Sequence, residues 1–242
     1  MSSPLTGCGL VIRRGWVRSE VATRTHLDEY LHPVTLFGPT DYTIRVELEG
    51  VDPVVWRRLR ISSDLSLPLF ARVLEAAMGW QSYHLHQFVS GNLTFGDADD
   101  EMGYTIDETN VVIKQILPEI GHDVRFDYDF GDDWHHVVRV EAIIERGYGD
   151  PPSALVLDGA RACPPEDVGG VEGYAHLVEV LRDPASEEYG EIRRWAGRSF
   201  KPEAFDLLKT QRAVAKLLPR PRQPKTPKRP DGPGSIVRFP VP

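Results

Sequence analysis

The sequence predicts an α+β fold, a mixed or antiparallel sheet from strands within residues 42–144 packed with helices at 66–78 and 173–218. Strand-type alternation fills the first half of the chain, and helical stripes close it. That order suits α+β rather than alternating α/β. No internal repeat of solenoid length interrupts it.

Tyr42, Ile44, Val46 and Leu48 alternate with Thr43, Arg45, Glu47 and Glu49, which is a strand with one buried face. Gly50–Pro53 breaks it, and a second strand follows from Val54 to Ile61 with Val55, Leu59 and Ile61 on one face. Ser66 with Pro68 signals a helix start, and the stripe Leu69, Phe70, Val73, Leu74, Ala77 runs to Gly79, the residue favoured just past a helix end. Tyr83–Val89 reads as a strand, turning at Ser90-Gly91-Asn92 into Leu93–Phe95. Asp97–Glu101 reads as an acidic loop, and Val111–Leu117 fits either strand or helix. Val124, Phe126 and Tyr128 form another strand, which turns at Gly131-Asp132 and returns as His135–Ile144. Gly147–Ala162 reads as loop, and Gly173–Leu181, Ser186–Trp195 and Pro202–Leu218 read as helices. Trp56, Trp80 and Trp134 sit beside element boundaries with apolar neighbours and are expected as buried anchors.

The organisation expected is an N-terminal arm over 1–40 with a short helix near Arg24–Leu31, a domain over 41–218, and a disordered tail over 219–242. The total charge of −8 is unevenly spread. The tail carries six basic residues and one acidic, the arm four and three, leaving −14 for residues 41–218. A core that acidic repels phosphate backbones, so nucleic acid could be met only through the tail. There Pro221, Pro224, Pro227, Pro230 and Pro233 recur every three residues, the period of a polyproline II helix. Arg220, Arg222, Lys225, Lys228 and Arg229 would line a basic arm for an acidic protein partner or nucleic acid, or belong to a plain linker. No apolar run reaches membrane-span length, and Met1–Leu10 lacks a signal-peptide pattern. With only Cys8 and Cys163, in very different contexts, no disulfide framework is expected and a reducing cytoplasm is the expected compartment.

The polar residues fall in three dense segments. His84 and His86, two apart on the expected strand, would share a face with Phe88 and suit a metal or acid–base chemistry, or a braced pair. Asp129–His135 packs acids and histidines around Gly131. Its aspartates could brace a tight turn, or Asp129, Asp132 and His135 could hold a divalent metal. The glycine spacing excludes an EF-hand loop. In Cys163–Gly170, prolines and glycines fix a loop around Glu166 and Asp167, which could position a site, plug the fold or cap the next helix. Cys163 is a nucleophile candidate only if its thiol pKa is lowered. These segments are expected to converge, because their acids and imidazoles are costly to bury without partners. Dinucleotide, P-loop, nucleophile-elbow and Cys-x-x-Cys motifs are absent.

Four segments in order carry a resemblance: Val55-Trp56-Arg57-Arg58-Leu59; Ala77-Met78-Gly79-Trp80 with His84-Leu85-His86-Gln87-Phe88; Tyr128-Asp129-Phe130-Gly131-Asp132-Asp133-Trp134-His135; and Ala162-Cys163-Pro164-Pro165-Glu166-Asp167-Val168-Gly169-Gly170 with Gly173-Tyr174. Across roughly residues 41–218 the chain is similar to the root-inducing plasmid open-reading-frame-three-like family, which itself resembles a passenger protein of insertion elements. The resemblance implies an α+β fold and an association with mobile elements, and it fixes no activity. Val168 stands where members often carry a second cysteine, which argues against a paired-thiolate metal site, and Gln211 stands where an asparagine is expected. Three functions stay open: an interaction or adaptor module, a metal-dependent hydrolase-like enzyme, and nucleic-acid contact through the tail.

Overall fold

The computed structural model describes residues 38–97 and 105–218. The expected arm, apart from its last residues, and the whole expected tail with Arg220, Arg222, Lys225, Lys228 and Arg229 lie outside the described residues. Eight strands form one sheet: β1 (Thr40–Leu48), β2 (Trp56–Ser62), β3 (His86–Ser90), β4 (Leu93–Gly96), β5 (Thr105–Asp107), β6 (Asp123–Tyr128), β7 (Trp134–Glu145) and β8 (Ala154–Ala160). The helices are α1 (Leu67–Met78), α2 (Ile113–Ile116), α3 (Gly170–Arg182), α4 (Tyr189–Trp195) and α5 (Leu207–Ala215). The strand order is β5-β4-β3-β6-β7-β1-β2-β8. Every pairing is antiparallel except β4 with β5, so the sheet is mixed and the fold is α+β.

Alternation sets which face is buried. Tyr42, Ile44, Val46 and Leu48 of β1 pack beside Leu59 and Ile61 of β2, Phe126 and Tyr128 of β6, and Val138 and Val140 of β7. α1 lays Phe70, Val73, Leu74 and Ala77 on this face and stops at Gly79, whose φ of 114° suits glycine. Phe70 stacks on Phe88 with centroids 5.4 Å apart. α5, started by Asp206 accepting from the Lys209 amide at 2.8 Å, packs against β8 and α1 and buries Val214. Gln211 Oε1 accepts the Val156 amide at 2.6 Å, tying α5 to β8. Among the described residues no helix is long and apolar enough to cross a membrane.

Some expectations need correction. Gly147–Ala162 contains β8, an edge strand that Pro151, Pro152 and Gly159 disguise as loop. Val111–Leu117 resolves into the one-turn helix α2. The strand expected at Tyr83–Val89 begins only at His86, because Ser82 takes a left-handed φ of 60°. Trp80 and Trp134 are buried at 6% and 1% exposure, but Trp56 is only half-buried. Period-two alternation sends Trp56 to the outer face, between the Arg45 and Arg58 guanidinium groups at 4.1 and 5.5 Å.

The same alternation drives Arg57 inward. It is 2% exposed, and its Nε donates to the Ala77 carbonyl at 2.8 Å. One amino group donates to the carbonyls of Trp56 at 2.7 Å and Ala160 at 2.9 Å. The guanidinium therefore caps the negative end of α1 and links it to β8, with the Phe205 ring 4.3 Å away. Burial pulls its pKa down, and the nearby Cys163 and Tyr174 work in the opposite sense.

Trp134→Ala and Trp80→Ala are each expected to lower unfolding stability by ~3–5 kcal/mol in urea titrations, and Trp56→Ala by less than half of that. Equal losses at all three positions would contradict the assigned faces.

Candidate functional site

The site is assembled where α1 ends and β6 turns into β7. Trp80, just past Gly79, stacks on Tyr128 with centroids 4.6 Å apart and lies 6.2 Å from Trp134. Its indole Nε1 donates to the Pro164 carbonyl at 3.1 Å. One buried ring thus touches the Asp129–His135 turn through Trp134 and the Cys163–Gly170 loop through Pro164.

Asp129 follows β6 at a left-handed φ of 59°, a region that aspartate tolerates better than most residues. Its amide donates to the Leu85 carbonyl at 2.9 Å, which holds the His84 segment alongside the turn. Its two carboxylate oxygens divide the work. Oδ1 accepts the amides of Gly131 at 3.0 Å and Asp132 at 3.3 Å, bracing the turn. Oδ2 stands 3.4 Å from His84 Nε2.

The Cys163–Gly170 loop completes the site. Asp132 Oδ2 accepts the Gly169 amide at 3.1 Å, docking loop on turn. Gly170 follows with a φ of 69°, and a Cβ there would lie 2.6 Å from the Asp132 carbonyl oxygen, so glycine is required. The docked loop presents Asp167, at a φ of 57°, with Oδ1 3.4 Å from His84 Nε2. Glu166 Oε1 accepts the Gln81 amide at 2.8 Å and the Tyr128 hydroxyl at 3.2 Å, while Oε2 lies 3.9 Å from His84 Nε2. Burial, with the Glu166 carboxylate second, raises the Tyr128 pKa and keeps its hydroxyl a donor.

His84 Nε2 therefore faces three carboxylates from two segments, and it is buried without a hydrogen-bond partner among the described residues. Ligand atoms of His84, Asp129 and Asp167 all lie within 4.8 Å of one another. Two donors each ~2.1 Å from a tetrahedral ion stand about 3.4 Å apart, which matches both His84–aspartate separations. Asp129 and Glu166 are mostly covered, whereas Asp167 is 75% exposed and opens the cluster to solvent.

The other sequence candidates do not join this cluster. His84 lies off the strand that carries His86, so their rings part. His86 Nδ1 faces Glu75 Oε1 at 3.5 Å, and its Nε2 faces Glu108 Oε1 at 3.1 Å. Burial lowers the His86 pKa, but the Glu108 and Glu75 carboxylates outweigh it, and the net shift is upward. His135 binds Asp127 through Nδ1 at 2.8 Å and approaches Asp133 through Nε2 at 3.4 Å, because alternation along β7 separates it from the buried Trp134 and His136. Asp132 is occupied by the Gly169 amide. Burial drives the Cys163 thiol pKa upward against the pull of Arg57, so this thiol is not activated as a nucleophile.

Sequence reasoning passed over Glu75, Ser82, Glu108 and Tyr128. Glu75 carried a signal: it interrupts the buried stripe of α1 between Leu74 and Ala77 and is 1% exposed. Burial raises its pKa, with the Ser82 hydroxyl bonded to Oε2 and the His86 imidazole working in the opposite sense.

The plasmid pRiA4b ORF-3-like protein family model matches residues 40–209. The chain belongs to that family. It is 36% identical over 177 residues to "Uncharacterized protein y4hQ" of Sinorhizobium fredii, a match covering 72% of this chain and 90% of that protein. It is also similar to the crystal structure of "Protein of Unknown Function MM3350" from Methanosarcina mazei Go1. There the identity is 32%, the TM-score 0.62, and the match covers 71% of this chain and 97% of the other. All the residues of the His84 cluster fall inside the family match.

A core imidazole underlies the site. His136 is fully buried with Nδ1 donating to the Phe126 carbonyl at 2.9 Å, and its ring sits edge-on to Trp80 at 5.1 Å. Burial pushes its pKa from the ordinary 6.5 down to about 4. The unfolded chain therefore binds more protons than the folded one between those values, and stability falls as pH is lowered through that window, by about 3 kcal/mol from this group. Nitrogen NMR is expected to show the His136 ring neutral at pH values well below 6.5. Protonation at the ordinary value would contradict its assigned burial.

Proposed function

We propose that this family member binds a divalent cation through His84 Nε2, Asp129 Oδ2 and Asp167 Oδ1, with Glu166 Oε2 as a nearby fourth oxygen. The observation that carries the reading is the imidazole nitrogen, buried without a hydrogen-bond partner among the described residues, with aspartate oxygens at metal-ligand spacing. One nitrogen with carboxylate oxygens suits Mn²⁺, Fe²⁺ or Zn²⁺. Supporting it, Asp129 and Asp167 each place one oxygen 3.4 Å from the same nitrogen, His84 Nε2. When bound, the cation would supply Lewis acidity. The chain's own residues fix its ligands: the Gly131 and Asp132 amides hold Asp129, and the Gln81 amide with the Tyr128 hydroxyl holds Glu166. A free, half-buried Cys163 suits a reducing cytoplasm.

A second reading, an interaction module, is favoured by a separate observation. Tyr83, Leu85 and Phe130 flank His84 and Asp129 in sequence and are 68%, 62% and 52% exposed. Exposed apolar side chains grouped beside polar ones suit a protein partner.

Titration calorimetry with Mn²⁺ and Zn²⁺ tests the cation site. One ion per chain is expected, with His84→Ala and Asp129→Asn each weakening binding at least about tenfold. Saturating ion is expected to raise the wild-type unfolding free energy, by about 2.7 kcal/mol at a hundredfold excess over Kd. Equal binding by wild type and His84→Ala would overturn the cation reading. It would leave the apolar rim as the functional feature.

A further inference from the structure

Glu75 and Glu108 define a second acidic feature, bordered by His84, Leu85 and His86. They line a cleft of about 530 Å³ between α1, β3 and the turn after β5, with Arg72, Asp97 and Asp107 also in its wall. We infer that this cleft binds a small organic cation, an ammonium or guanidinium group seated on the Glu108 carboxylate.

Glu108 is the deciding residue. Its side chain is 9% exposed. Oε1 faces His86 Nε2 at 3.1 Å, but Oε2 is buried with no hydrogen-bond partner among the described residues. A buried carboxylate oxygen without a donor is costly, and an N–H of a bound ammonium supplies that donor with opposite charge. The wall supports the same sign. Four carboxylates, Glu75, Asp97, Asp107 and Glu108, outnumber the Arg72 guanidinium and the His84 and His86 imidazoles. A concave surface with that imbalance concentrates cations and repels phosphates and carboxylates. The volume falls within the range of small-molecule sites, and Pro68 and Leu85 offer apolar wall to a hydrocarbon chain.

A metal ion fits this cleft poorly. The His86 ring stands between the two glutamates, one on each nitrogen, so the three groups do not point at one centre. His84, Asp129 and Asp167 do, and they are the one such set among the described residues. The assignment of the cleft therefore does not rest on the cation reading of the neighbouring cluster.

The test uses the full chain, free of added divalent metal, with 1,4-diaminobutane as probe and 1,4-butanediol as its uncharged counterpart. Calorimetry is expected to show saturable 1:1 binding of the diamine and none of the diol. Glu108→Gln is expected to weaken diamine binding at least about tenfold while leaving Mn²⁺ binding at wild-type strength, and Asp129→Asn, outside the cleft wall, to do the reverse. In the wild type, diamine-induced amide shifts are expected to centre on His86, Glu108 and Thr109, a readout that needs no variant. Equal diamine affinity in a folded Glu108→Gln, comparable binding of the diol, absence of saturable binding, or shifts spread over the acidic surface would each overturn the inference. Loss of Mn²⁺ binding alone would count against the His84 cluster and not against the cleft.

Discussion

Everything that builds the candidate site leans on the packing of Trp80. The residue is delivered by the end of α1, stacked on Tyr128 at the end of β6, set beside Trp134 at the start of β7, and hydrogen-bonded to the Pro164 carbonyl. Large aromatic rings are rigid and bury much area for little conformational loss. A single ring therefore fixes three chain segments that are far apart in sequence. His136 closes the other edge of the ring as a neutral imidazole, so no charge has to be accommodated beneath the site. The polar groups above the stack are placed by backbone bonds to Leu85, Gln81 and Gly169 rather than by each other. That leaves His84 Nε2 and the facing carboxylate oxygens free of mutual hydrogen bonds.

Much of the sheet was legible because alternation is strict where one face is buried, as along Tyr42–Leu48. Two places defeated that reading for physical reasons. At Arg57 a charged residue occupies a core register position, because its guanidinium satisfies the carbonyls at the end of α1. Nothing local in the sequence reports such a long-range cap. In counterpart, Trp56 is displaced to the outer face and stacks between arginines. At Ala154–Ala160 the strand lies on the sheet edge, where Pro151 and Pro152 before it and Gly159 within it are tolerated, so composition points to a loop.

The candidate site was legible as three polar segments but not as one arrangement. Acids and imidazoles that need partners suggested convergence, and His84, Asp129, Glu166 and Asp167 do lie together. The division of labour among them depends on backbone conformation that spacing does not reveal. Ser82 at positive φ takes His84 off the strand and away from His86. The alternation of β7 turns His135 toward Asp127. Asp132, chemically identical to Asp129, becomes a brace because Gly169 and Gly170 approach it closely. Glu108 gave no signal, since its burial follows from its packing beside His86.

The segments that make this arrangement lie within the family match, and the cation proposed here sits between His84, Asp129 and Asp167. Crystals grown with Mn²⁺ and measured above the manganese absorption edge address that claim most directly. The account predicts an anomalous peak at ~2.0–2.3 Å from His84 Nε2, Asp129 Oδ2 and Asp167 Oδ1. A peak elsewhere on the acidic surface, with His84 Nε2 closed onto one of these carboxylates in an ordinary hydrogen bond, would contradict it.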